Sequence, residues 1–248
     1  MLFTAPLSLI LALAPSALLA APTQHMDSIA ALIPRQNLPA GVWEQLRKTD
    51  SLCDLSNVKL PIAPTPLGSP AEGLSLRHIA IGRGTQNYTC ASASAMEVPK
   101  ATGAIASLFN ATCDAARLNT DVLAQVTTLA LNYAIPTSPE ADNRLSGHHQ
   151  FTAAGVPLFN LQTENADYGR VECAVNAKSP APKAAALGKN ELGSVPWLKL
   201  NATVGDDKQW AYKEVYRVHT AGGSAPKTCE GIEGSFTVEY SAEYWFYA

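Results

Sequence analysis

From Leu74 to the C-terminus the chain is built of short runs with alternating side chains, cut by glycine and proline. In Leu74-Ser-Leu-Arg-His-Ile-Ala-Ile81, Leu74, Leu76, His78 and Ala80 fall opposite Ser75, Arg77, Ile79 and Ile81. A strand sends successive side chains to opposite faces, so this period of two belongs to β structure. The last run, Ser235–Tyr247, places Phe236, Val238, Tyr240, Ala242, Tyr244 and Phe246 on one face. Thr85–Ala91, Ala104–Phe109, His148–Phe151, Val171–Ala177, Trp197–Thr203 and Tyr212–His219 read as further strands. So many short runs between turn residues predict a single, mainly β antiparallel domain, a sandwich or a barrel. One segment departs from the pattern: Val122, Val126, Leu129 and Tyr133 share a helical face behind the cap-type residues Asn119, Thr120 and Asp121. It predicts one inserted helix over about 120–133. Residues 134–147 and 178–194 read as long loops.

The N-terminal part has a different texture. Residues 1–20 hold no charged side chain and end in small residues at Ala17 and Ala20. That is the pattern of a secretory signal peptide, with cleavage expected after Ala20. Pro6 and Pro15 interrupt the stretch, whereas a membrane span needs about 20 unbroken apolar residues. Residues 21–59 form an N-terminal extension with a short helix around Val42–Leu46, and residues 60–248 form the β-rich domain. Leu60–Leu67 is proline-rich and is expected to wrap over a surface, because proline removes backbone donors. With 47% hydrophobic and only 16% charged residues, the composition is that of a folded chain. A net charge of -3 lacks the basic footprint of a nucleic-acid binder. The expectation is a secreted, extracellular protein with no membrane span after processing.

Secretion gives meaning to the cysteines and the sequons. Cys53, Cys90, Cys113, Cys173 and Cys229 allow two disulfides and one spare thiol. Their spacing contains no CxxC and no Cys/His zinc pattern. Asn87-Tyr-Thr89, Asn110-Ala-Thr112 and Asn201-Ala-Thr203 match the N-glycosylation acceptor.

Few motifs carry chemistry. Gly82-Arg-Gly84-Thr-Gln-Asn87 approaches a dinucleotide fingerprint, but Asn87 replaces the third glycine and no helix follows. A tight turn between two strands accounts for both glycines, and no cofactor is expected. His148, His149 and His219 are the candidate metal ligands, since imidazole suits zinc and copper. Neighbours on a regular strand face opposite ways, so His148 and His149 cannot share one ion. Arg83 and Arg217 stand in weakly charged surroundings, where each either binds an anion or ties strands through carbonyls. Glu239 and Glu243 with Asp206 or Asp207 offer carboxylates for glycoside chemistry, at a spacing that sequence does not supply. Trp245 and Tyr247 lie opposite Phe246, and Trp210 stands beside a polar run, so these rings are candidates for stacking on sugars. A strand aromatic on both faces is also what a strand buried on both sides looks like.

Taken together, Arg83–Cys90, Gly147-His-His149, Val195–Leu200, Tyr216–Pro226, Cys229 and Ala242–Tyr247 resemble the family called domain of unknown function 3455. The resemblance runs from about Leu60 to Tyr247 and implies a secreted protein of fungal or bacterial type. It implies no activity and no catalytic residues. Some fungal members carry a malate dehydrogenase label, yet this chain has no Rossmann unit. Because Cys90 and Cys229 both fall in family motifs, the resemblance implies a Cys90–Cys229 bridge, with Cys53–Cys113 as the second and Cys173 as the free thiol. Of the histidines, the bacterial-type pattern of the family matches His149 alone and has a polar residue other than histidine at His219. The functional expectation is a non-catalytic extracellular β-domain that binds a surface ligand, such as a cell-wall glycan, or a small molecule. The alternative is a secreted enzyme with His149, Arg217 and Arg83 in one cleft.

Overall fold

The computed structural model describes residues 53–203 and 210–248. The expected signal peptide, the expected helix around 42–46, and Asp206 and Asp207 lie outside the described residues. Eight strands follow one another as β1 (Leu76–Cys90), β2 (Lys100–Asn110), β3 (Leu145–Phe151), β4 (Pro157–Gln162), β5 (Asp167–Ser179), β6 (Trp197–Ala202), β7 (Glu214–Gly222) and β8 (Gly234–Tyr247). Each pairs antiparallel with the next, and β8 returns to β1 to close a barrel. Closure satisfies every strand edge, which an open sheet of this length would leave exposed. Of the two architectures expected, the barrel is the one formed.

The period-two pattern has a physical cause in two hydrophobic cores on either side of one wall. Inside stand Ala80, Leu108, Phe159, Val171, Leu200, Val215, Tyr240, Tyr244 and Phe246. An eight-stranded barrel is just wide enough for side chains to fill, and here aromatic rings fill it. Outside, Ile79, Ile81, Tyr216, Val218, Trp245 and Tyr247 form a second core beneath the helices and the N-terminal segment. Trp245 and Tyr247 are therefore buried, and neither offers a surface for sugar stacking.

Gly82 and Gly84 make no turn. They lie within the unbroken strand β1, paired to both β2 and β8. A Cβ at Gly82 would meet the Tyr244 ring at 2.6 Å, and one at Gly84 would strike the Ile105 carbonyl. The glycines therefore serve close approach, one to an interior ring and one to the neighbouring strand.

Three helices follow β2: α1 (Thr112–Arg117), α2 (Thr120–Leu131) and α3 (Pro139–Arg144). The expected inserted helix is α2, capped by the Asn119 side chain, which accepts from the Val122 amide. Its buried stripe is Leu123, Val126, Thr127 and Leu131, so Val122 and Leu129 are turned to the margins. Within the expected loop 134–147, Ser138 caps α3 and Pro139 opens it. Arg144 of α3 pairs with buried Asp114 of α1 at 2.7 Å. Before β1, Leu67 is buried against the outer core, and the carbonyls of Gly68 and Ser69 accept from Tyr216 Oη and Lys199 Nζ. Cys53 bonds Cys113 and Cys90 bonds Cys229, leaving Cys173 free and buried inside the barrel.

Candidate functional site

The residues singled out from the sequence divide between the two sides of the wall. His149 points inward, stacked on Phe159 with ring centroids 4.3 Å apart, and its Nδ1 bonds the Leu158 carbonyl at 3.0 Å. Burial holds its imidazole down at about 4, against the pull of that carbonyl and with the nearby Arg217 charge adding to the effect. Arg217 also lies inside, where its Nε and Nη2 donate to the Pro196 carbonyl. Tyr240 and Tyr244 join their hydroxyls beside it at 2.7 Å, and burial pushes the pKa of both phenols up, so both stay protonated. His149 and Arg217 are thus neighbours in a packed interior, held by protein partners.

Arg83 does not join them. It is 3% exposed on the outer face, where its guanidinium donates to the Ala130, Leu131 and Tyr133 carbonyls at the end of α2. It also bonds the Tyr240 carbonyl and pairs with Glu239 at 2.7 Å. A cation on the last carbonyls of a helix is a favourable C-terminal cap, and this one has no vacant face. The expected cleft of His149, Arg217 and Arg83 is not formed, because odd and even positions of β1 and β7 face opposite sides.

The three histidines separate as well. His148 is exposed on the outer face of β3, and His149 is inside. His219 would follow Arg217 inward on a regular strand. It does not, because β7 carries one extra residue between Val218, opposite Glu243, and Ala221, opposite Ser241. At this bulge His219 adopts φ 45°, the left-handed region that a bulge residue usually fills with glycine. Such a conformation costs about 1–3 kcal/mol and tends to mark functional sites. The bulge turns the imidazole outward, where its Nδ1 meets Glu243 Oε1 at 2.9 Å.

Glu243 is fully buried beneath α2. Besides His219, its carboxylate accepts from Trp245 Nε1 at 2.9 Å and shares the Thr127 Oγ1 hydrogen, at 3.1 Å, with the Leu123 carbonyl. A carboxylate so deep stays in place only with several donors, and here three converge on it. The arrangement of histidine, orienting carboxylate and supporting hydroxyl stands at the floor of a cleft of about 520 Å³. One wall is α2, with Asp121, Ala124, Gln125, Thr128 and Leu129, and the other is made by Pro182, Ala184, Ala185 and Ala186. Trp197 and Thr220 complete the floor, the indole standing edge-on to His219 with centroids 5.0 Å apart. The size and the mixture of apolar walls with a few polar groups are those of small-molecule sites. Among the described residues no group of three or more His, Cys, Asp or Glu is placed to hold a metal.

The remaining expected site residues lie elsewhere. Trp210 is half-buried, donates to the Thr203 carbonyl at 3.0 Å, and carries the Arg170 guanidinium 5.9 Å from its ring centroid. Glu239 is bound by Arg83 and Lys189, and Glu243 by its three donors, so the two carboxylates serve separate contacts. Of the sequons, Asn110 donates from Nδ2 to the Tyr168 hydroxyl, Asn87 accepts from Thr85 on β1, and Asn201 sits half-buried on β6. Among the described residues no helix is long and apolar enough to cross a membrane.

Neither curated proteins nor solved structures give a match to this chain. A family described as a protein of unknown function, DUF3455, matches residues 70–248, which take in the whole barrel and its helices. The protein thus belongs to the DUF3455 family, with its outward cleft at His219 as the candidate site.

Proposed function

We propose that this protein is a secreted, non-catalytic β-barrel that binds a small extracellular ligand in the cleft beside His219. The observation that carries this reading is the cleft itself: a 520 Å³ slot that ends on a strained histidine held by a buried carboxylate. The barrel interior is an unpromising alternative, since it is filled by Phe159, Tyr240, Tyr244 and Phe246. A polysaccharide laid along the surface is also less well served, because Trp245 and Tyr247 are covered. Secretion accords with the apolar N-terminal stretch and the two disulfides.

The test is a panel of small neutral fragments followed by amide chemical-shift mapping. Shifts should gather on α2, residues 182–186 and His219, and Ala124→Trp, which fills the slot from the helix side, should abolish them. Binding that maps elsewhere, or that survives Ala124→Trp, would reject the cleft. A second reading places acid–base catalysis in the same cleft, because Glu243 orients His219 as a carboxylate orients a general base.

A further inference from the structure

We infer that the cleft takes a neutral, ring-sized molecule that donates a hydroxyl hydrogen to His219 Nε2, a phenol or a cyclic alcohol. This rests on the reading of the cleft as a ligand site and adds the chemistry of its occupant. The reasoning starts from Glu243. Trp245 Nε1 can only donate, so the carboxylate oxygen it meets is an acceptor. The other oxygen faces His219 Nδ1 at 2.9 Å, and a carboxylate in that position holds the imidazole proton on Nδ1. In the neutral ring Nε2 is then a bare acceptor. The imidazole lines the cleft and is 14% exposed, while the protein bonds it only through Nδ1 among the described residues. A ligand that satisfies Nε2 must bring a hydrogen.

The walls narrow the class further. Ala124, Leu129, Pro182, Ala184, Ala185 and Ala186 present apolar surface, and no lysine or arginine lines the cleft. An anion would meet the Nε2 lone pair with Asp121 at the rim, and no cationic side chain lining the cleft would neutralise it. An ammonium would lose more hydration against these walls than exposed Asp121 could return. Small side chains on both walls leave a slot suited to a ring, with its hydroxyl edge reaching the floor.

The experiment uses four naphthalene probes at pH 8: 2-naphthol, 2-methoxynaphthalene, 2-naphthoate and 1-naphthylmethylammonium. The naphthol should bind about tenfold more tightly than its methyl ether, the effect of leaving one buried acceptor unpaired. Neither charged probe should bind measurably. His219→Asn should erase the tenfold difference, since asparagine tolerates the left-handed backbone and still donates to Glu243 but has no atom at Nε2. Independently of any variant, imidazole ¹⁵N spectra of the unliganded protein should show the proton on Nδ1. Equal binding of naphthol and ether in the cleft would overturn the hydroxyl chemistry and leave the cleft reading standing. Tighter binding of a charged probe, or a proton on Nε2, would also overturn it. Failure of all four to bind would reject the cleft reading and this inference with it.

Discussion

His148 and His149 are adjacent in sequence and stand on opposite sides of the barrel wall, one in solvent and one stacked on Phe159. A second histidine, His78, is also enclosed, its ring nitrogens bonded to Ser146 Oγ and Thr112 Oγ1. Burial lowers both His78 and His149 to about 4. In the unfolded chain each titrates at about 6.5. Between these values the unfolded state binds the extra protons, so acid favours unfolding. The stability these two residues lend is complete above about pH 6.5 and is lost as the pH falls toward 4. Urea unfolding should show a loss approaching about 1.4 kcal/mol per pH unit for each histidine in that window. His149→Gln should remove its share of the slope, and an unchanged slope would show that His149 is not held neutral.

Among the elements, α2 matters most to the candidate site, because it forms one wall of the cleft and roofs Glu243. Its position depends on two anchors from the barrel. Ser241 Oγ donates to the Thr127 carbonyl at 2.7 Å, and Arg83 gathers the last carbonyls of the helix. Removing Arg83 leaves those carbonyls without their charged donor, the Leu131 carbonyl in a buried place and the others in partly buried ones. Arg83→Met should cost at least about 2 kcal/mol of stability. Hydrogen exchange should quicken first in the final turn of α2, near Ala130 and Leu131. Uniform acceleration across the barrel would mean that Arg83 holds the wall as a whole, not the helix.

At the scale of the molecule, closure brings the two ends of the domain together: Leu76 pairs with Tyr247, and Ser75 exchanges backbone bonds with Ala248. The Cys90–Cys229 bridge spans 139 residues of sequence, from the last residue of β1 to the segment that leads into β8. A loop that long restricts the unfolded chain strongly, so replacing both cysteines by serine should cost about 2–5 kcal/mol, read from thermal or urea unfolding. A change below 1 kcal/mol would mean that strand pairing between β1 and β8 already closes the barrel in the denatured ensemble. The cleft should survive this change, since its walls come from α2 and residues 182–186, away from the bridge.

Much of the barrel was legible in the alternation itself. The inner face of β8 is that of Tyr240, Tyr244 and Phe246, as its period requires, and the split of His148 from His149 follows from the same rule. The inserted helix was legible because its cap and apolar spacing are local signals. Helices α1 and α3 escaped notice because each is 6 residues long, too short to show a period. The glycines of β1 read as a turn because nothing in a local window reveals a tyrosine ring or a strand backbone pressing against them. The site itself was half visible: His219 and Glu243 stood out as separate residues, without a link between them. The sequence alone determined most strands, their alternation and one helix, because these depend on neighbours a few residues away. Strand β4 (Pro157–Gln162) was not among the expected strands, and β1 was read as two. Only the tertiary structure decided that the sheet closes, that the terminal aromatics are covered, and that a bulge aims His219 at Glu243. Closure depends on pairing between β1 and β8, and the covering of the aromatics on the segments packed outside the wall. The aim of His219 depends on register between β7 and β8, where a single extra residue reverses the face of the side chains that follow it.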